Sequence, residues 1–311
     1  MLLLVLGALA VTAGRSDAQV PDDLAEQIRS IGRVIDPKAT SQLFASRVVD
    51  KEPYAGIDVE RDVHYGPADR NLLDVFRPRD KSASALPVLV FVHGGGFVAG
   101  NRRTSPTSPF YDNIAVWAVH SGMIGVNITY RLAPRDPWPA GAEDVGLAIR
   151  WVHDQIGAWG GDPQRVYLLG HSTGATHVAS YLADPRFQSV SGSGIVGALL
   201  LSGIYRLSMA VKLPPNIVAY FGAEPAKYEE RSPLAGLLAN QVPLWVGSSE
   251  FDSPVLESQT QLLKESLCGV GKCPAIATFA NHNHMSEVYS VDTDDRSVTD
   301  AMLSFIQGRT R

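Results

Sequence analysis

Pro87 to Val92 reads PVLVFV, six apolar residues in succession, and Met123 to Ile128 (MIGVNI) nearly repeats the pattern. A strand with one wet face alternates apolar and polar side chains. A run that is apolar at almost every position must be covered on both faces, as in a parallel sheet between layers of helices. The chain supplies those layers. Helical patterns run over residues 109–120, 140–159, 174–182, 253–267 and 298–306, and between them lie short apolar strands at 166–169, 195–201, 243–246 and 275–279. Strand and helix in alternation specify an α/β fold, a doubly wound and mostly parallel sheet with helices on both faces. Upstream, residues 57–65 and 72–76 read as two antiparallel strands at a sheet edge.

Two stretches stand outside the alternation. Residues 21–56 precede the first strand, with Leu24, Ile28, Ile31 and Ile35 at helical spacing over 21–48, and residues 204–235, with Pro214-Pro215, show no strong period. Ligands of open α/β sheets bind beyond the carboxyl ends of the strands, so both stretches are candidates for a small cap over that edge. Leu2 to Ala13 is a 12-residue apolar run followed by Ser16-Asp17-Ala18. It is too short for a bilayer span of about 20 residues and has the form of an export leader cleaved before Gln19, although no Lys or Arg precedes it. The expected organisation is a signal peptide over 1–18, a helical or cap segment over 19–56 and a catalytic domain over 57–311, in a secreted or periplasmic protein. In an oxidising compartment Cys268 and Cys273, the only two cysteines, could close a small loop, with two free thiols as the alternative. Two cysteines exclude a four-cysteine zinc site. A count of 27 Lys plus Arg against 32 Asp plus Glu, with no basic run, excludes a phosphate-tracking nucleic-acid binder.

Chemistry concentrates at strand ends. Gly170-His171-Ser172-Thr173-Gly174 follows the strand VYLL and opens a helix. That is the setting of a G-x-S-x-G nucleophile elbow, in which a sharp turn lifts the serine above the sheet. His93-Gly94-Gly95-Gly96-Phe97 ends a buried strand, and its consecutive glycines leave backbone N–H groups free to meet an oxyanion. No Gly-Lys-Ser/Thr follows, which excludes a phosphate loop, and Gly192 to Gly197 matches G-x-G-x-x-G only ahead of a strand, the wrong context for a dinucleotide. A serine hydroxyl needs a base. His64, His120 and His153 lie away from strand ends, His93 belongs to the glycine loop, and His171 and His177 flank the serine. Asn281-His282-Asn283-His284-Met285 follows the last apolar strand, so the base is sought there. A metal clip at H-N-H finds no third ligand of suitable spacing, and no metal or cofactor is expected. His282 and His284 lie two residues apart, and spacing does not separate them; His284 lies farther past the strand. The acid that orients the base is Asp252, with Glu250 as its rival, while Asp162 precedes its strand at the wrong edge.

HGGGF, YRLAP (130–134), WGGDP (159–163), GHSTG, SSEFD and HNHM together resemble the α/β-hydrolase esterases of the hormone-sensitive-lipase-like group. GHSTGATH is more similar to the corresponding motif of carboxylesterases related to kynurenine formamidase. The resemblance covers residues 57–308. It implies an α/β-hydrolase fold with Ser172 as nucleophile, Asp252 and His284 as its partners, and oxyanion donors from Gly95, Gly96 and Thr173. It aligns His284 with a base followed by a bulky apolar residue. The implied activity is hydrolysis of small carboxylic esters through an acyl-enzyme; no apolar run after the leader reaches membrane-spanning length. Arylformamide hydrolysis by the same triad is the alternative, and a non-catalytic binding protein on this fold is the remoter one. Phe97, Trp138, Tyr220 and Phe221 are the expected pocket aromatics.

Overall fold

A computed structural model describes residues 20–47, 52–80, 82, 84–188, 190, 192–208 and 212–308; the leader expected over 1–18 lies outside them. Eight strands form one sheet: β1 (Ile57–His64), β2 (Leu72–Pro78), β3 (Leu86–Val92), β4 (Ile124–Ile128), β5 (Gly161–His171), β6 (Gly197–Leu201), β7 (Leu244–Phe251) and β8 (Ala275–Asn283). Their spatial order is β1-β2-β4-β3-β5-β6-β7-β8. β2 pairs antiparallel with both β1 and β4, and every other pairing is parallel, so β2 alone is reversed.

The apolar runs are covered as their composition requires. Val88, Val90 and Val92 of β3 face one core, while Leu89 and Phe91 face the other, the two-residue period of a pleated strand. The first core is closed by α4 (Ala140–Gln155), α5 (Thr173–Ala183), α8 (Leu234–Ala239) and α9 (Pro254–Gly269). The second is closed by α1 (Asp22–Ile31), α2 (Pro37–Phe44), α3 (Asp112–His120), α10 (Ser286–Tyr289) and α11 (Ser297–Ile306). α6 (Pro215–Phe221) and α7 (Tyr228–Arg231) lie between β6 and α8.

The helix expected over 21–48 is two helices. Gly32 ends α1 at φ 64°, and Asp36 caps α2 by accepting from the Ala39 N–H at 2.9 Å, with Pro37 in the first turn. Glycine past one helix and Asx-Pro before the next are ordinary stop and start signals, which here override the continuing apolar period. Ile35, counted on the apolar face, is 49% exposed in the connection. α1 packs Leu24 and Ile28 into the second core and so covers the sheet rather than its carboxyl edge. α4 likewise stops at Gln155 and tightens into a 3₁₀ turn over Ile156–Trp159. Cys268 and Cys273 form a disulfide at the end of α9.

The chain order reverses around β3: β4 lies on one side of it and β5 on the other. That switch point is where an open α/β sheet leaves a crevice beyond its carboxyl ends. The glycine loop follows β3, and Ser172 follows β5.

Candidate active site

Ser172 stands between β5 and α5 with φ 56° and ψ −124°, a strained conformation for a residue with a Cβ. Neighbours on both sides hold it there. Its N–H donates to the Leu201 carbonyl at 2.8 Å, and its carbonyl accepts from Ala175 N at 3.0 Å. The turn closes only around small residues: a Cβ on Gly174 would lie 2.0 Å from the Val92 carbonyl oxygen. From His171 through Tyr181, Ser172 alone is not buried. The amino end of α5 sits directly behind it, where the helix dipole favours developing negative charge.

Gly94, Gly95 and Gly96 face Ser172 and Thr173 across one cavity of about 670 Å³, with His284 on its wall. A Cβ on Gly94 would lie 2.9 Å from the Ser172 Cβ, and Gly95 and Gly96 take φ 135° and 64°. Among the described residues, no backbone acceptor takes the N–H groups of Gly95, Gly96 or Thr173. Beneath the loop His93 is a brace. Its Nε2 pairs with Thr129 Oγ1 at 3.0 Å, its ring stacks on Tyr130, and burial presses its pKa to about 3.

His284 Nδ1 donates to Asp252 Oδ1 at 2.9 Å, which leaves Nε2 as the basic nitrogen. Asp252 is fully buried, and its Oδ2 accepts from Ser202 Oγ at 2.5 Å and from the Ser249 N–H at 3.0 Å. Burial works against the imidazolium. The hydrogen bond and charge of Asp252, aided by Glu287, outweigh it, so the His284 pKa stands above its ordinary value. Asp252 is correspondingly lowered: burial raises it, and the His284, Ser202 and Ser249 hydrogen bonds more than compensate. Glu250 is turned away, accepting from the Asn281 N–H at 2.7 Å.

His282 is directed elsewhere. It is fully buried, with Nδ1 3.0 Å from Ser286 Oγ and Nε2 2.9 Å from Ser297 Oγ and 3.1 Å from Asp295 Oδ2. The two histidines diverge because β8 ends between them and the chain turns at Asn283, whose Oδ1 accepts from Met285 N at 3.1 Å and Ser286 N at 2.9 Å. H-N-H is therefore not a chelating pair.

None of the four expected pocket aromatics lines the cavity. Phe97 stacks on Tyr220 with centroids 4.6 Å apart and meets Phe221 edge-on at 5.2 Å, in a separate apolar cluster under the cap. The Tyr220 hydroxyl accepts from Gly141 N at 3.2 Å, and Trp138 lies under Arg231 at 5.4 Å. These rings are the cap's own core, which forms because residues 204–235 need apolar partners of their own. The cavity wall comes instead from Ile35 and Pro37 before and within α2, Ile204 and Ile217 of the cap, and Val255 and Leu256 of α9. Both stretches outside the alternation thus reach the cavity. Sequence reasoning also passed over Ser202 and Ser249, although Ser202 directly follows a strand, as Ser172 and Asp252 do.

The reversed second strand, the elbow after β5 and the acid and histidine after β7 and β8 define an α/β-hydrolase. The carboxylesterase family model matches residues 69–232, and the chain belongs to that family. Esterase LipQ of Mycobacterium tuberculosis (strain ATCC 25618 / H37Rv) is 28% identical over 265 residues, covering 79% of this chain and 61% of that protein. Probable carboxylic ester hydrolase LipM of the same strain is 30% identical over 240 residues, covering 69% of this chain and 53% of its own length. The chain thus spans just over half the length of these two relatives. Among solved structures, a hyperthermophilic esterase from Pyrobaculum calidifontis superposes with a TM-score of 0.68 at 22% identity, covering 93% of this chain and 98% of its own.

Proposed function

We propose that the protein is a serine hydrolase of small carboxylic esters. In this reading Ser172 attacks the ester carbonyl while His284 Nε2 takes its proton. The negative charge on the carbonyl oxygen is met by the N–H groups of Gly95, Gly96 and Thr173. His284 returns the proton to the leaving alcohol, and water then hydrolyses the acyl-enzyme by the same relay. The observation that carries the reading is the Asp252–His284 hydrogen bond at 2.9 Å, its imidazole on the wall of the cavity shared by Ser172 and the unpaired loop N–H groups. Family membership supports the same chemistry, and the mostly apolar wall suits an uncharged acyl or alcohol group.

Ser172→Ala tests the proposal. A folded protein with kcat on a p-nitrophenyl ester reduced by about 10⁴-fold or more is expected, since triad members act as a unit. Turnover near that of the unaltered protein removes Ser172 as nucleophile. Export is proposed on the apolar run and Ser16-Asp17-Ala18, supported by the disulfide. Its test is the amino terminus of protein recovered outside the cytoplasm, expected at Gln19.

A further inference from the structure

Glu287 lies three residues past His284 on α10 and is fully buried. A buried carboxylate is costly unless it is paired. Among the described residues no Arg or Lys pairs with it. Its surroundings are the supports of the candidate triad. Ser249 Oγ donates to its Oε2 at 2.7 Å, and Ser202 Oγ, whose proton goes to Asp252, stands 3.2 Å from the same oxygen. His171 Nε2 donates to the His284 carbonyl at 2.9 Å and lies 3.3 Å from Glu287 Oε1, with its ring against the His284 ring at 4.7 Å. The His171, His284 and Glu287 polar atoms lie within 4.8 Å of one another. The basic side chains within reach of this acid are therefore imidazoles.

We propose that Glu287 is a positioning residue for His284, a second buried carboxylate that fixes the imidazole's loop through His171 and Ser249 and adds its charge to that of Asp252 when the imidazolium forms. The inference rests on the reading of His284 as the base. The elements around the pair contribute few other ionisable groups. Tyr205, after β6, lies close enough to feel both carboxylates. Arg33, before α2, donates to the Asp252 carbonyl and pairs with the exposed Glu257 of α9 at 3.0 Å. His282 and Asp295 pair with each other on the far side of the β8 end, and Lys38 of α2 is exposed. None of these replaces the Glu287 charge beside the imidazole. Both carboxylates favour imidazolium against burial, in keeping with the raised His284 pKa.

The experiment compares kcat/KM from pH 5 to 9.5 for the unaltered enzyme, Ser172→Ala and Glu287→Gln, with thermal unfolding of each. Glu287→Gln is expected to lower the midpoint of the rising limb by about one unit and the plateau by about tenfold, because each unit is a tenfold change in the imidazole's proton affinity. A purely structural role leaves the midpoint in place, and an unmoved midpoint overturns the inference. Ser172→Ala at full activity would instead remove the triad reading itself, so the two failures are distinguishable. If Glu287→Gln does not fold, Ser249→Ala replaces it, since it frees Oε2 while keeping the charge. There kcat is expected to fall three- to tenfold with KM unchanged, and an unchanged kcat overturns the inference.

Discussion

His282→Ala and His284→Ala exchange two histidines separated by one residue, and the structure assigns them opposite consequences. His282 is surrounded by Ser286 Oγ at 3.0 Å, Ser297 Oγ at 2.9 Å and Asp295 Oδ2 at 3.1 Å. Removing the ring leaves Asp295 buried with only the N–H and hydroxyl of Ser297. Leaving a buried carboxylate short of a hydrogen-bond partner costs about 1–3 kcal/mol. For a chain of this size each kcal/mol is about 2–4 °C of unfolding temperature, so a fall of roughly 5 °C is expected. The damage stays on the side of the β8 end away from the cavity, and Asn283 still holds the turn through its own side chain. Activity of the folded variant is therefore expected within about tenfold of the unaltered enzyme. His284→Ala removes the nitrogen proposed to take the Ser172 proton, and kcat is expected to fall by about 10⁴-fold. The assay is kcat/KM on one ester at one pH, well below both unfolding temperatures, alongside calorimetry. An inactive His282→Ala protein with an unshifted unfolding temperature would overturn the assignment of the two histidines.

Two further outcomes follow from the site. Because the base must be neutral and the His284 pKa is raised, kcat/KM is expected to rise with pH through a single midpoint above 6.5, the ordinary histidine value; a midpoint at or below it contradicts the Asp252 coupling. Across p-nitrophenyl esters of two to sixteen carbons the optimum is expected below twelve, since the cavity of about 670 Å³ is of ordinary small-molecule size and must also hold the alcohol; a maximum at twelve or more carbons, or a higher kcat/KM on an aryl formamide, overturns the substrate class.

Much of the architecture is local and was legible for that reason. PVLVFV requires cover on both faces whatever the rest of the chain does, and it lies in the middle of the sheet with β4 and β5 beside it. GHSTG is legible because a strand, a tight turn and a helix in succession constrain the serine between them. The split between α1 and α2 was legible too, in Gly32 and Asp36-Pro37, but the apolar spacing ran through it and misled. Tertiary structure alone decided where long-range partners fell. Phe97, Trp138, Tyr220 and Phe221 are aromatic in any reading, yet whether a ring meets substrate or another ring depends on how the cap folds back. His282 and His284 share one local pattern and are separated by Asp295 and Asp252, acids 13 and 32 residues away on different elements. Glu287 and its serines carry no motif, because a buried acid is recognised by what the fold brings to it: the chain states its chemistry residue by residue, but its partners are set by packing across β5, β6, β7 and β8.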